Sequence, residues 1–375
     1  MTTSLNDKIT ALVFAGSLGL LPGLTVANWS AASNAAQSPM EQWLSGAVSQ
    51  QWEQQFDNNF VIREWSISAM AAVTYLGFRE GTSEVAVGEG DWMFSREELV
   101  QPANSDDNIR QNFLRVLQTS DYLASRNIRL LVVPVPAKAR VLSHHLAQRP
   151  ALAHQQVYAQ LLDFLGDHRV SVVDTLKAMS INPEQPLYFQ RDTHWTPNGA
   201  QLVAKATARY CQNQINLSLN NLEFVTEARD IQEFAGDLMN FIPLQPLFSQ
   251  FQPSSEEFIE TTTYAKQSNL FGSSDVAVST LLVGTSYSAD SRWNFEGYLK
   301  QALGRDLLNL ASEGRGPFAP MLSLMQQPSA LEGVELVIWE IPERYLLQAY
   351  PDLDFSTIPK SGVPKGQYTA QLSTR

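Results

Sequence analysis

The 375-residue sequence has a single cysteine, Cys211, and few charged side chains. One cysteine excludes an internal disulfide, a zinc site built from several cysteines and a cysteine-ligated iron–sulfur cluster. Only 17 % of the residues are charged, and 38 acidic against 26 basic side chains leave a net charge of −12. Because an acidic surface repels phosphate backbones, this balance disfavours general nucleic-acid binding.

Long apolar runs are also scarce, and the exception lies at the amino terminus. Residues 9–40 contain no charged side chain, 9–21 are mostly apolar, and Pro22-Gly23 breaks the helix that they predict. We interpret residues 1–37 as a secretory signal or an uncleaved anchor; a buried amino-terminal helix is the alternative. The first interpretation predicts a periplasmic protein, with or without a tether to the inner membrane.

Hydrophobic residues make up 44 % of the chain, which is enough for a substantial core. After residue 100, continuous apolar runs alternate with segments of helical periodicity. This alternation predicts an α/β domain with a mostly parallel sheet of about five strands flanked by helices. The strands are expected at 128–135, 170–174, 281–284, 306–310 and 335–340.

The remaining segments are expected to surround this sheet. Residues 38–100 predict a helical and hairpin extension, and 101–350 the main domain. Within that domain, 217–279 show little periodicity and are expected to form a loop-rich insertion. Residues 351–375 predict a polar carboxyl-terminal tail.

Two clusters of side chains are suited to chemistry. In the first, Asp192 and His194 stand at i and i+2, so in an extended segment they share a face. A carboxylate in this position can fix the tautomer of an imidazole base and stabilise its charged form. The alternative is ordinary surface polarity. A metal site on this pair needs at least a third ligand, and the nearby sequence offers no obvious one.

The second cluster follows the predicted strand 281–284, in the stretch Gly284-Thr285-Ser286-Tyr287-Ser288. A serine at this point lies at the carboxyl edge of the sheet, where open α/β folds bind their ligands. The amides of a helix start can stabilise an oxyanion there. The spacing is G-x-S-x-S, which differs from the G-x-S-x-G elbow of α/β hydrolases. The alternative is a simple helix N-cap.

Several stretches together resemble the periplasmic alginate O-acetyltransferases with SGNH-hydrolase-like domains, the AlgJ/AlgX group, and the AlgJ branch most. The order Asp-x-His before Ser is that of the family. The matching stretches are VGEGDWMF (87–94), LLVVPVPAK (130–138), RDTHWTPNGA (191–200), Gly236–Leu238, LVGTSYSADSRWNF (282–295), EGRGP (313–317) and VIWEIPERYL (337–346).

The resemblance implies an SGNH-hydrolase-like fold and acetyl transfer to hydroxyls of an exported polysaccharide, most naturally alginate, through an acetyl-serine. Ser286 would be the nucleophile, His194 the base and Asp192 its partner, with no metal and no cofactor. The Ser286 amide, with Gly314 or Gly316, would hold the oxyanion. Arg315 stands where the family usually has an acidic residue, which leaves the acceptor open.

The resemblance also implies partners: a membrane-bound O-acyltransferase as the acetyl donor and other polymer-export proteins. Arginine forks suit uronate carboxylates, and aromatic rings suit sugar stacking. Three rival functions stay open: an acetylesterase with the same triad, a metal-dependent phosphoesterase and a non-catalytic export module. The expected acceptor-binding residues are Tyr287, Arg292, Trp293, Arg315, Arg344 and Trp195.

Overall fold

The computed structural model describes residues 39–59, 62–147, 149–180, 185–215, 222–266 and 278–358. The predicted signal or anchor, 1–37, and the tail beyond residue 358 lie outside these ranges. No helix within them is both long and apolar enough to cross a membrane.

Nine strands and eleven α-helices make up the described chain, besides short 3₁₀ and π turns. The strands are β1 (Val85–Val87), β2 (Met93–Ser95), β3 (Arg129–Val135), β4 (Ser171–Val172), β5 (Phe224–Phe234), β6 (Glu256–Ala265), β7 (Thr280–Val283), β8 (Leu308–Asn309) and β9 (Leu336–Pro342). The helices are α1 (Met40–Leu44), α2 (Ala47–Asn59), α3 (Arg63–Ala72), α4 (Ser105–Ala124), α5 (Lys138–Val141), α6 (Leu152–Asp167), α7 (Thr175–Met179), α8 (Pro197–Tyr210), α9 (Ser286–Ala289), α10 (Phe295–Leu303) and α11 (Phe318–Met325).

Five strands form the central sheet in the order β4-β3-β9-β7-β8, and every pairing is parallel. The predicted α/β architecture with a parallel sheet of about five strands is confirmed. Strand β9 lies in the middle, with Glu340 opposite Val133 of β3 and Trp339 opposite Val283 of β7. Because parallel strands end at a common edge, the segments that leave β3, β7 and β9 come together there.

Helices cover both faces of the sheet, which explains why its longer strands are apolar without alternation. One face packs Val132, Val337 and Trp339 against α4, α6 and α11. The other face packs Leu131, Val133 and Ile338 against α8 and α10. Successive residues of β3 and β9 therefore belong to two separate cores.

The segment predicted as a loop-rich insertion carries one regular element. Strands β5 and β6 pair antiparallel into a long ribbon, with a register shift between Ala228 and Ile231. Most side chains of β5 are exposed. Only Phe258 of the ribbon is buried among its described side chains. A largely exposed strand needs no apolar alternation, and this is why the sequence pattern shows no strand there.

The chain divides into two compact units. Of the described residues, one unit contains those up to Thr82 together with Phe241–Pro253, and the other contains those of Ser83–Asn240 and those from Ser254 onward. In the first unit α3 buries small side chains, and the Ser68 hydroxyl donates to the Leu244 carbonyl at 2.6 Å. The hairpin β1–β2 belongs to the second unit, so the predicted extension 38–100 is shared between the two.

We predict that Ile338→Ala lowers the free energy of unfolding by about 2–5 kcal/mol, because it opens a cavity in the middle of the sheet. The side chain of Ile338 is fully buried. Urea unfolding of the purified protein measures this loss. Ile259→Ala is the matched control, since Ile259 lies on a strand of the ribbon and is 54 % exposed; its effect should stay within about 0.5 kcal/mol. Equal effects of the two substitutions would contradict the burial of β9.

Candidate active site

Ser286 lies at the carboxyl edge of the sheet, at the first position of α9, directly after β7. Thr285 is the N-cap of this helix, and its hydroxyl accepts a hydrogen bond from the Tyr287 amide at 3.4 Å. A serine at a helix start after a strand end is the arrangement that the sequence predicted, and the N-cap is Thr285 and not Ser286. This arrangement leaves the Ser286 side chain partly exposed.

The segment that carries Asp192 and His194 follows β4 and α7 and ends at the N-cap of α8. It is an irregular bend, closed by one antiparallel bridge between Tyr188 and Trp195. His194 Nε2 lies 2.7 Å from Ser286 Oγ, and His194 Nδ1 lies 2.6 Å from Asp192 Oδ1. Carboxylate, imidazole and hydroxyl therefore form one continuous relay, with the imidazole in the middle.

Backbone amides hold the Asp192 carboxylate in place. Its Oδ1 also accepts the His194 amide at 2.7 Å, and its Oδ2 accepts the Asp237 amide at 2.6 Å. Burial alone would raise the pKa of Asp192, but the hydrogen bonds and charge of His194 and these amides lower it to about 2. Asp192 is therefore a carboxylate at neutral pH, as a partner of an imidazolium must be.

Asp237 is a member of this cluster that the sequence patterns did not single out. Its carboxylate accepts hydrogen bonds from the Thr193 amide and hydroxyl, at 2.8 and 2.5 Å. It lies 3.8 Å from His194 Nδ1, and burial together with the charge of Asp192 raises its pKa. Gly236 before it has a φ of +83°, and a Cβ there would meet the Arg191 carbonyl oxygen at 2.2 Å. The sequence did contain one indication of Asp237, because the stretch Gly236–Leu238 is among those that resemble the family.

Asp237 also supplies the third metal-ligand candidate that the sequence seemed to lack. Ligand atoms of Asp192, His194 and Asp237 lie within 4.8 Å of one another. The carboxylate oxygens of both aspartates, however, already accept hydrogen bonds from the protein, and both imidazole nitrogens face protein partners. A metal would have to break this network, so the geometry suits proton transfer better than metal binding.

A buried lysine fixes the bend from behind. Lys138, at the start of α5, donates from Nζ to the carbonyls of Met93, Gln190 and Asp192 at 2.5, 2.9 and 2.9 Å. Burial lowers the pKa of Lys138 to about 8, against the opposing pull of nearby carboxylates led by Glu98. The ammonium thus ties β2 to the carbonyls of Gln190 and Asp192 in the bend before His194. Sequence patterns gave no hint of this role, although Lys138 closes one of the matching stretches.

All three aromatic side chains expected to stack on sugars are interior. Trp195, Trp293 and Tyr287 are at most 1 % exposed. The Trp293 ring stacks on the His194 imidazole with centroids 5.5 Å apart, and the Tyr287 hydroxyl donates to the Thr193 carbonyl at 2.6 Å. These rings form the floor that supports His194, and they offer no open face to a polymer.

The three arginines expected to bind the acceptor differ in access. Arg344 is buried against Tyr287 and lies 3.6 Å from Glu98. Arg292 is half exposed, is held by Asp290 and lies over the Trp293 ring at 4.8 Å. Arg315 is exposed in the loop that follows β8. Among these three, Arg292 and Arg315 are open to solvent, and Arg344 is not.

The loop with Gly314 and Gly316 leaves β8 beside the end of β7. The Ser312 amide donates to the Gly284 carbonyl at 3.1 Å, so this loop starts next to the turn that carries Ser286. Both glycines have positive φ values, of +70° and +62°. Their role in holding an oxyanion stays a prediction.

A parallel α/β sheet with a serine, a histidine and an aspartate at its carboxyl edge defines a class of acyl-transferring and acyl-hydrolysing proteins. Residues 85–343 match the family model "SGNH hydrolase-like domain, acetyltransferase AlgX", and the chain belongs to this family.

Named relatives agree with this assignment. The chain is 35 % identical to a probable alginate O-acetylase AlgJ of Azotobacter vinelandii, over 93 % of this chain and 92 % of the relative. The same identity and coverage hold for the AlgJ of Pseudomonas aeruginosa. Among solved structures, the O-acetyltransferase domain of Pseudomonas putida AlgJ superposes with a TM-score of 0.66 at 34 % identity, covering 73 % of this chain and 95 % of that one.

The low pKa of Asp192 predicts how stability depends on pH. The folded carboxyl has a pKa of about 2, below the ordinary value near 3.9, so its contribution is present above about pH 4 and disappears as the pH falls towards 2. Wild type should exceed Asp192→Asn by roughly 2 kcal/mol at pH 6, and this difference should shrink towards pH 2. Urea unfolding across this range measures it, with the exposed Asp163→Asn as a control. A difference that does not change with pH would contradict the assignment.

Proposed function

We propose that this protein is an O-acetyltransferase that transfers acetyl groups to hydroxyls of an exported polysaccharide, with alginate as the first candidate. The observation that carries the proposal is the relay from Asp192 through His194 to Ser286, with distances of 2.6 and 2.7 Å. The choice of acetyl as the transferred group and of alginate as the acceptor rests on the relatives, which are named probable alginate O-acetylases.

In the first half-reaction, Ser286 Oγ attacks the carbonyl carbon of the acetyl donor while His194 Nε2 takes the hydroxyl proton. The imidazolium that forms lies against the carboxylate of Asp192, which stabilises its charge. The tetrahedral intermediate then expels the donor's leaving group, which receives the proton from His194. The product of this step is an ester between the acetyl group and Ser286.

In the second half-reaction, a sugar hydroxyl takes the place of the leaving group. His194 Nε2 removes the proton of this hydroxyl, whose oxygen attacks the acetyl carbonyl carbon. Collapse of the intermediate releases Ser286 Oγ, which regains its proton from His194. The sugar now carries the acetyl ester, and the enzyme is restored.

Donors for the oxyanion are expected at the start of α9. The Thr285 amide is engaged by Glu340, and the Tyr287 amide by Thr285 Oγ1. The Ser286 amide is therefore the candidate donor of this turn, and Gly314 or Gly316 would supply a second one from the neighbouring loop.

The amino-terminal sequence supports the proposed location, and the family resemblance supports the proposed acetyl donor. The uncharged run 9–40 supports export, so we expect the enzyme to act in the periplasm. Activated acetyl groups made in the cytoplasm then need a carrier across the membrane. A membrane-bound O-acyltransferase is the proposed donor, and the proteins that export the polymer are the proposed neighbours.

We predict that Ser286→Ala, His194→Ala and Asp192→Ala each remove most of the transfer activity while the protein stays folded. Their losses should be strongly non-additive, because the three groups act as one unit. The assay is incubation with an activated acetyl ester and the polymer. Mass spectrometry then follows the acetyl mass on the Ser286 peptide and on the sugar.

The same assay separates the rival functions. A folded Ser286→Ala protein with normal transfer would reject the acetyl-serine route and leave a non-catalytic export module as the alternative. Acetyl loss from acetylated polymer, without gain on bare polymer, would identify an esterase. Inhibition by chelators, restored by added metal, would favour the phosphoesterase.

The accessible arginines predict an acidic acceptor. Uronate carboxylates would pair with Arg292 or Arg315, so transfer to polymannuronate should exceed transfer to neutral cellulose oligomers. The preference should weaken at high salt, because such pairs are screened. We expect Arg315→Ala to reduce it several-fold, by the loss of about 1 kcal/mol of ion pairing at an exposed site.

Initial rates on both polymers at two salt concentrations measure this preference. The matched control is Arg126→Ala, at the opposite end of the sheet where β3 begins. Equal rates on both polymers, without effect of salt or of Arg315→Ala, would indicate a neutral acceptor such as cellulose.

A further inference from the structure

A second buried carboxylate lies directly beneath the nucleophile. Glu340, near the end of the central strand β9, is fully buried. Its Oε2 accepts the Thr285 amide at 2.7 Å and the Ser288 hydroxyl at 3.0 Å. Both of its oxygens lie 3.1 Å from the Thr285 hydroxyl. The carboxylate thus holds the residues on both sides of Ser286.

Such a carboxylate is costly, because burial disfavours its charged form. Burial raises the pKa of Glu340 to about 7, although the donors of Thr285 and Ser288 oppose this shift. Within the described ranges no arginine or lysine forms a salt bridge with Glu340. Hydrophobic residues fill the rest of β9, so stability alone does not account for an acid at this position.

The unusual motif of the turn is explained by this carboxylate. A Cβ on Gly284 would lie 2.4 Å from Glu340 Oε2, so glycine is what lets the carboxylate reach the Thr285 amide. Ser288 occupies the last position of G-x-S-x-S, where α/β hydrolases have glycine, and its hydroxyl donates to Glu340. Gly284, Thr285, Ser288 and Glu340 therefore form one interdependent set.

We propose that Glu340 is a positioning residue for the nucleophile: it fixes the turn 284–288 so that Ser286 Oγ meets His194 Nε2. By engaging the Thr285 amide, it also orients the peptide that precedes Ser286 and leaves the Ser286 amide for the oxyanion. This inference rests on the proposed acetyl-serine route, since it concerns the rate at which that ester forms.

Glu340→Gln tests the proposal with little change of shape. The glutamine amide keeps one oxygen that can accept a hydrogen bond. Its NH₂ group replaces the other oxygen and donates, so the donors of Thr285 and Ser288 compete for a single acceptor. We expect kcat for ester formation on Ser286 to fall at least about tenfold, as for a lost hydrogen bond to a charged group, with KM changed less than about twofold.

Glu343→Gln is the matched control. Glu343 lies just after the same strand, is equally buried and has its pKa raised to about 7 by burial. It pairs with Arg140 at 2.9 Å, away from the turn. Its substitution should lower the unfolding midpoint but leave kcat per folded molecule unchanged. An equal fall of kcat in both variants would mean that any buried carboxylate at this strand end matters, and the proposal would be wrong.

Ser288→Ala supplies a second route if Glu340→Gln does not fold. It removes one donor to Glu340 and leaves the carboxylate in place, so kcat should fall several-fold. Where Glu340→Gln does fold, the same change in that background should have little further effect, because Ser288 acts through Glu340. Wild-type kcat in either variant, as long as that variant is folded, would overturn the proposal.

The outcomes also separate this proposal from the proposed function. If wild type forms no acetyl-Ser286 at all, the acetyl-serine route fails and the role of Glu340 in it falls too. If wild type forms the ester and Glu340→Gln forms it equally fast, only the positioning role is wrong.

Discussion

The parallel pairing of β9 with β3 on one side and β7 on the other governs the whole site. Glu340 lies on this strand, opposite Val133 of β3 and one residue beyond Trp339, whose partner is Val283 of β7. The turn with Ser286 leaves β7 just above Glu340, and α5 with Lys138 leaves β3 beside it. A shift of one residue in either pairing would turn Glu340 towards the opposite core and separate all three groups.

Three buried ionisable groups lie at this edge of the sheet, and each forms hydrogen bonds with other groups of the protein. Backbone carbonyls surround the ammonium of Lys138, backbone amides hold Asp192, and the donors of the nucleophile turn hold Glu340. Burial shifts the pKa of Lys138 and of Glu340 towards the uncharged form, so at least these two groups are costly to bury. What they provide is a rigid arrangement around Ser286 and His194, which acyl transfer requires.

Much of the fold and part of the candidate site could be predicted from the sequence. The predictions that failed or were missing share a physical cause. Local signals worked: apolar runs predicted the strands, and Asp192, His194 and Ser286 stood at recognisable positions. Groups that act across distant segments went unseen, because Asp237 meets Asp192 from 45 positions away and Glu340 meets Thr285 from 55. The aromatic residues beside the motifs were expected to bind the acceptor, but they are buried. A side chain that is close to a site in sequence can pack beneath the site as readily as it can face the substrate.

The separation of these segments along the chain has a consequence for reactivity. His194 and Ser286 are 92 positions apart, and Glu340 lies further still. Long-range parallel pairings form late in folding, because loop closure must come first. Until β7 and β9 have joined the sheet, Ser286 is an ordinary alcohol with no base beside it. On the proposed acetyl-serine route, a partly folded chain therefore carries no activated serine, and the acetyl group would reach the protein only after the sheet is complete.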